Sequence, residues 1–171
     1  MKNLNLSTFL ATVALLFACM TPALLKAQEQ TVTPTFASSN EIMSENSYVA
    51  DLALNLKPTI FINESDRFLY KDHSFLVVEC VPSQISQLYA EDDIFSSVQL
   101  IKIKIDENAG AITLNLALLQ SFSQLQFVQL VYVYDACSNG NDDCLLDKAQ
   151  NSVLPGYEQI TVIYTLSFSQ E

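Results

Sequence analysis

The sequence predicts one α+β domain whose sheet has about five to six strands joined by short helical turns. Two observations lead to this class, and a third excludes nucleotide-binding motifs. The chain has 171 residues, which suits a single domain. Runs rich in Val, Ile, Tyr and Phe mostly alternate along the chain, as in half-buried strands. Three glycines occur, and Gly110, Gly140 and Gly156 each have a turn-like setting, which leaves none for a phosphate loop or a dinucleotide fingerprint.

The first 27 residues predict a signal peptide rather than part of the fold. Lys2 gives a short positive start, and Leu6 to Met20 is largely apolar. This run is too short for a comfortable membrane span, which needs about 20 apolar residues. Pro22 then interrupts it, and a small residue, Ala27, offers a cleavage site. We therefore expect an exported protein, periplasmic or extracellular, with no membrane span.

A second interpretation of the leader rests on Cys19. The residues "LFAC" that end at Cys19 resemble a bacterial lipobox, in which the cysteine is lipidated, although Phe17 is bulky for that pattern. The alternative location is then that of an outer-membrane lipoprotein. Both interpretations predict export.

The acidity of the chain argues against two classes of partner. The formal net charge is −11, and removal of Lys2 and Lys26 with the leader makes it more negative. Such a surface repels phosphate backbones and anionic lipid surfaces. We therefore expect no nucleic-acid partner.

After the leader, residues 28–47 are rich in Ser, Thr, Glu and Asn and predict a flexible polar lead-in. Residues 48–171 are then the single globular domain. Its strongest strand signals alternate or are rich in β-branched and aromatic residues. They are Phe75 to Cys80, Val98 to Asp106, Phe127 to Asp135 and Gln159 to Phe168, with "TIFIN" and "GAITLNL" as weaker candidates.

Two of these strands have nearly the same sequence. "VQLI" begins at Val98 and "VQLV" begins at Val128, 30 residues later, and a leucine-spaced turn precedes each. A turn followed by a strand at this period resembles a short α/β solenoid of the leucine-rich-repeat type. The Asn position of that repeat is missing, and the likeness covers about half of the chain after the leader. We therefore expect an α+β sheet, with an α/β form containing a short internal repeat as the alternative.

The stretch "DACSNGNDDCLLD", Asp135 to Asp147, has two interpretations. Cys137 and Cys144 bracket an Asn-Gly turn in a chain expected to be exported, which predicts a disulfide that closes a loop. The weaker interpretation is a calcium loop that begins at Asp135 and uses Asn139, Asn141 and Asp143. Cys137 at loop position 3 and Leu146 at position 12 occupy places where oxygen ligands belong.

Catalytic signals are weak. His73 is the one histidine and lies in a polar stretch, so we expect a solvated turn residue. Cys80 ends an apolar strand and is expected to be a buried, inert thiol. The acidic clusters Glu91 to Asp93 and Asp106 to Glu107 are expected to be solvated, the latter in a hairpin turn, and the chain has no Trp to stack on a sugar. We expect no catalytic residue, no metal site and no cofactor.

One strand pair predicts a weak binding surface. Lys102 and Lys104 point to one side of their strand, and Tyr132 and Tyr134 take the same places when the two similar strands are aligned. If these strands are neighbours, the four side chains share one sheet face. The favoured function is therefore an exported, non-catalytic module that binds a protein or a small ligand. The alternatives are a secreted or envelope hydrolase without a recognisable motif and a lipid-anchored structural protein of the envelope.

Overall fold

Parallel strands form the centre of the computed structural model, which describes residues 31–63, 67–70, 74–137, 141–156 and 158–167. The described strands form a seven-stranded mixed sheet in the order β1-β9-β7-β5-β4-β2-β3 and a separate pair, β6-β8. Their bounds are β1 Thr35–Ser38, β2 Thr59–Ile62, β3 Arg67–Tyr70, β4 Val77–Cys80, β5 Leu100–Ile105, β6 Leu114–Asn115, β7 Phe127–Tyr132, β8 Val153–Leu154 and β9 Thr161–Leu166.

Five strands follow one another in the same direction. β2, β4, β5, β7 and β9 are neighbours in chain order, and each pair is parallel. β3 is antiparallel to β2 at one edge, and β1 is parallel to β9 at the other. β5 and β7 lie at the centre, where burial on both faces favours the continuous apolar runs that these strands contain.

The connections between the parallel strands pack on one face of the sheet, which we call the connection face. Ile101, Ile103 and Ile105 of β5 point to this face and belong to the main core. The covering elements bury Leu88, Phe95 and other apolar side chains against them. These elements are 3-10 helices at Pro82–Tyr89, Asp93–Phe95 and Leu116–Leu118, and an α-helix at Asp142–Ser152 that we call α3.

The opposite face, which we call the back face, is covered by the two helices that follow β1. These are α1 (Ser39–Glu45) and α2 (Ser47–Leu54). Asn46 separates them, and its side-chain oxygen accepts the backbone N–H groups of Tyr48 and Val49, which fixes the start of α2. A smaller core forms where α2 meets the sheet, with Leu52 and Leu100 as members.

The expected fold class is confirmed: this is an α+β or α/β domain with one main sheet. The four strong strand signals correspond to β4, β5, β7 and β9, and "TIFIN" corresponds to β2. The parallel strands follow one another across the sheet in chain order, as they do in a solenoid. However, the paired positions Val77, Leu100, Phe127 and Thr161 are unequally spaced along the chain.

Two local expectations are wrong. The lead-in predicted over residues 28–47 is ordered from Thr35 onward, because β1 pairs with β9 and α1 follows directly. The hairpin turn predicted at Asp106 to Gly110 instead begins a crossover, since the strands on either side of it, β5 and β7, are parallel. The predicted signal peptide, residues 1–27, lies outside the described residues.

Across the described ranges, none of the helices has both the length and the apolar character that crossing a bilayer requires.

Candidate functional site

The predicted shared face of lysines and tyrosines is wrong, because β5 and β7 pair in a different register. Ile105 lies opposite Tyr132, and Lys104 lies opposite Val131. The sequence similarity places Lys102 opposite Tyr132 instead, so the two alignments differ by three residues. A shift by an odd number moves every side chain to the other face of a sheet. Tyr132 therefore belongs to the main core, whereas the lysines point to the back face.

Both lysines of the predicted surface have partners within the fold. The Lys102 ammonium donates to the carbonyl of Ala53 at 2.9 Å, at the end of α2. Burial is the main cause of a lowered pKa at Lys102. Lys104 is half-exposed and forms an ion pair with Glu79 at 2.5 Å. These contacts give both lysines a structural role on the back face, and their role in binding stays a prediction.

Cys137 and Cys144 form the predicted disulfide, with their Cα atoms 5.9 Å apart. Cys144 lies in the first turn of α3, so the bond ties the segment after β7 to the start of that helix. Disulfides persist in oxidising compartments, and this one is weakly consistent with export.

The side chains proposed as calcium ligands do not form a metal site among the described residues. Asn141 is the N-cap of α3, and its side-chain oxygen accepts the N–H of Cys144 at 3.1 Å. Asp143 is exposed in the first turn of α3, where a negative charge interacts favourably with the helix dipole. Asp135 is exposed, and Asn139 lies outside the described residues. Among the side chains that are described, no group of three or more His, Cys, Asp or Glu could hold a metal ion.

The other residues considered for catalysis have structural roles where the structure describes them. Cys80 is buried, and burial raises the pKa of its thiol to about 12, so it is a poor nucleophile. Asp92 caps Ile94 and pairs with Arg67, and these contacts hold the pKa of Asp92 below its ordinary value. Asp106 accepts the N–H of Asn108 within its own turn. His73 and Cys19 lie outside the described residues.

A pocket of about 440 Å³ lies at the carboxyl ends of β5 and β7. Ligands of open parallel sheets commonly bind outside the carboxyl ends of the strands. Three parts of the chain line this pocket, which we call the strand-end pocket. They are the strand ends with Ile105, Tyr132 and Tyr134, the segment 109–112, and α3 with Lys148, Asn151 and Ser152.

The hydroxyl of Tyr132 is buried and has no hydrogen-bond partner among the described residues. The side chain is 2% exposed, and its oxygen makes no hydrogen bond within the described structure. Burial raises the pKa of Tyr132 to about 12, and a contact with Ser152 opposes this rise. The Ser152 hydroxyl donates to the carbonyl of Lys148 at 2.7 Å, and the geometry between the two hydroxyls is not that of a hydrogen bond. Among the described residues, the Tyr132 hydroxyl is therefore an unused donor.

The polar side chains of α3 come from one side of the helix. Lys148, Asn151 and Ser152 are three and four residues apart, the spacing of neighbours on a helix surface. The sequence analysis did not identify these three residues, because the cysteine loop that precedes them contains the stronger chemical motif. Their spacing was a visible signal, but only the fold shows that this side of α3 faces the end of β7.

Two other cavities have different linings. A cavity of about 160 Å³ is lined mainly by apolar side chains, including Leu116, Phe122 and Ile160. A wider hollow of about 740 Å³ includes Glu91 and Asp93. Neither lining contains a described buried polar atom without a partner. The strand-end pocket is therefore the stronger candidate.

No protein-family profile, curated protein or solved structure matches this chain. The strand-end pocket therefore has to be interpreted from its own chemistry.

Proposed function

We propose that the chain is an exported binding module that takes a small organic ligand into the strand-end pocket. The observation that carries this proposal is the unpaired hydroxyl of Tyr132 at the lining of a 440 Å³ pocket. Pockets of roughly 300–1,000 Å³ with a mostly apolar lining and a few polar groups are typical small-molecule sites. The predicted leader and the disulfide support export.

The lining favours binding over hydrolysis. Hydrolysis at neutral pH usually requires a carboxylate, an imidazole or a thiol as base or nucleophile. The described residues that line the strand-end pocket include none of these groups. They offer apolar contact and hydrogen-bond donors, which orient a ligand without breaking its bonds.

The Tyr132 hydroxyl is shielded from water, so a ligand reaches it when a lining side chain turns aside. Lys148 and Ser152 are both half-buried and stand on the surface of α3. Side-chain rearrangements of this size are common on binding, while the backbone hardly moves.

A screen of small organic fragments by ¹H–¹⁵N NMR on the disulfide-bonded chain tests the proposal. We expect some fragments to shift the amide signals of Tyr132, Tyr134 and Ser152. Ala111→Phe fills part of the pocket and should abolish these shifts. Gln150→Phe places the same ring on an exposed position of α3 outside the lining and should preserve them. A screen without hits at these amides, or hits that Ala111→Phe leaves unchanged, would rule out the proposed site.

A further inference from the structure

We propose that the ligand of the strand-end pocket is a small organic carboxylate with an apolar body, held at its acidic end by Lys148. This inference rests on the proposed function and adds the class of ligand. It follows from the charge, the hydrogen-bond donors and the apolar surface of the pocket.

The charge at the pocket contrasts with the rest of the protein. The sequence has 19 acidic residues and 8 Lys or Arg residues. Of the described residues that line the strand-end pocket, Lys148 is the one that carries a charge. It is half-buried, and it has no ion pair with any part of the chain that the structure describes. A half-buried cation without a counter-ion favours an anion in its vicinity.

The lining offers several hydrogen-bond donors. The Lys148 ammonium has three N–H groups, and the Tyr132 hydroxyl has an unused O–H. Asn151 directs its amide nitrogen to the carbonyl of Asp147 at 2.8 Å, which leaves its second N–H. A carboxylate is acceptor-only and offers two oxygens, so it complements such a set better than an amide or an alcohol.

The apolar part of the lining determines which hydrocarbon body the ligand can have. Ile105 and Ile112 contribute aliphatic surface, and the rings of Tyr132 and Tyr134 meet edge to face with centroids 6.4 Å apart. A hydrocarbon chain or a single aromatic ring suits this surface. Phosphate esters suit it less, because one lysine compensates only part of their charge.

The test compares phenylacetate with phenylacetamide, and hexanoate with hexanamide, by NMR titration of the disulfide-bonded chain. Within each pair the size is nearly equal and the charge differs. A charge-assisted hydrogen bond is stronger than a neutral one, and we expect the carboxylate to bind about tenfold tighter than its amide. Lys148→Gln should remove this preference. Lys104→Gln is the matched control, because Lys104 pairs with Glu79 on the back face.

The outcomes separate the two proposals. Equal binding of acid and amide, or a preference that survives in Lys148→Gln, overturns the carboxylate class while the pocket remains a binding site. Failure of both carboxylates to bind also overturns the class, even where neutral fragments shift the Tyr132 amide. If neither these probes nor any fragment shifts the amides of the pocket, the binding function itself is wrong.

Discussion

Tyr132, the last residue of β7, lies opposite Ile105, the last residue of β5, and both side chains enter the main core. The phenol is thereby buried, and its oxygen has no hydrogen-bond partner among the described residues. This pairing places the phenol of Tyr132 at the end of the connection face and in the lining of the strand-end pocket.

The first prediction concerns stability at high pH. Burial raises the pKa of Tyr132 from 10.0 to about 12. Between these values the unfolded chain has released the phenol proton and the folded chain keeps it. The unfolded state then binds fewer protons, so the free energy of unfolding falls as pH rises from 10 to 12. The loss from this group should reach about 2 kcal/mol, since one pKa unit corresponds to roughly 1.4 kcal/mol.

Tyr132→Phe separates this effect from other groups. At neutral pH the variant should be as stable as the wild type or about 1 kcal/mol more stable, because it removes an unpaired buried hydroxyl. Above pH 10 it should lose less stability than the wild type. Urea unfolding at several pH values measures both quantities. A Tyr132→Phe variant that is clearly less stable at neutral pH would show that the hydroxyl has a partner in the fold.

The second prediction concerns the glycine next to the small sheet. A Cβ atom added at Gly156 would lie 2.7 Å from the Cβ of Leu116. Gly156→Ala should therefore force a shift of Leu116, which is buried in the main core, and lower the free energy of unfolding by about 1–3 kcal/mol. Gly110→Ala is the control, because its Cβ would meet nothing within 4 Å. Equal stability of the two variants in urea would contradict the close approach.

The third prediction concerns the disulfide. Replacement of both Cys137 and Cys144 by Ser should lower the free energy of unfolding by about 2–3 kcal/mol, since the bond closes a short loop in the unfolded chain. Dithiothreitol should destabilise the wild type by a similar amount and leave the double variant unchanged. Cys80 stays a free thiol in both proteins and serves as an internal control in thiol titration under denaturing conditions. A dithiothreitol effect on the double variant would point to another redox-sensitive bond.

The fourth prediction distinguishes the two roles considered for Asn141. As the N-cap of α3, it should tolerate Asn141→Asp, whereas Asn141→Ala should lower the free energy of unfolding by about 1 kcal/mol. As a calcium ligand, it should instead link stability to the ion. We expect no rise in melting temperature on addition of millimolar calcium. A rise that Asn141→Ala abolishes would restore the calcium interpretation.

The five parallel strands from β2 to β9 that form the centre of the sheet were predictable from the sequence because their apolar patterns are local. The runs around Leu100 to Ile105 and Phe127 to Tyr132 contain the β-branched and aromatic residues that buried strands require. The disulfide was predictable for a similar reason, since Cys137 and Cys144 are close along the chain. In each case the residues that decide the structure lie within a few positions of one another in the sequence.

The register and the pocket were not predictable, because each depends on residues far apart in sequence. The likeness of Val98 to Val128 placed Lys102 beside Tyr132, whereas the hydrogen-bonded register places Ile105 there. The lining of the strand-end pocket combines Ile105, Tyr132 and Lys148, which share no local motif. Residues 35–45 also contain no long apolar run, and their structure depends on the pairing of β1 with β9 and on the packing of Ile42 and Met43 against the smaller core.

The pairing of β1 with β9 joins the first and the last of the described strands. The hydroxyls of Thr35 and Thr161 lie 3.1 Å apart, although 126 residues separate them in the chain. Of the described strands, the first to be synthesised therefore finds its partner only after the last has been made. Pairing over such a distance is slow compared with local contacts. Completion of the described sheet thus has to follow synthesis of β9, and the segment from β1 to α2 has to wait for it.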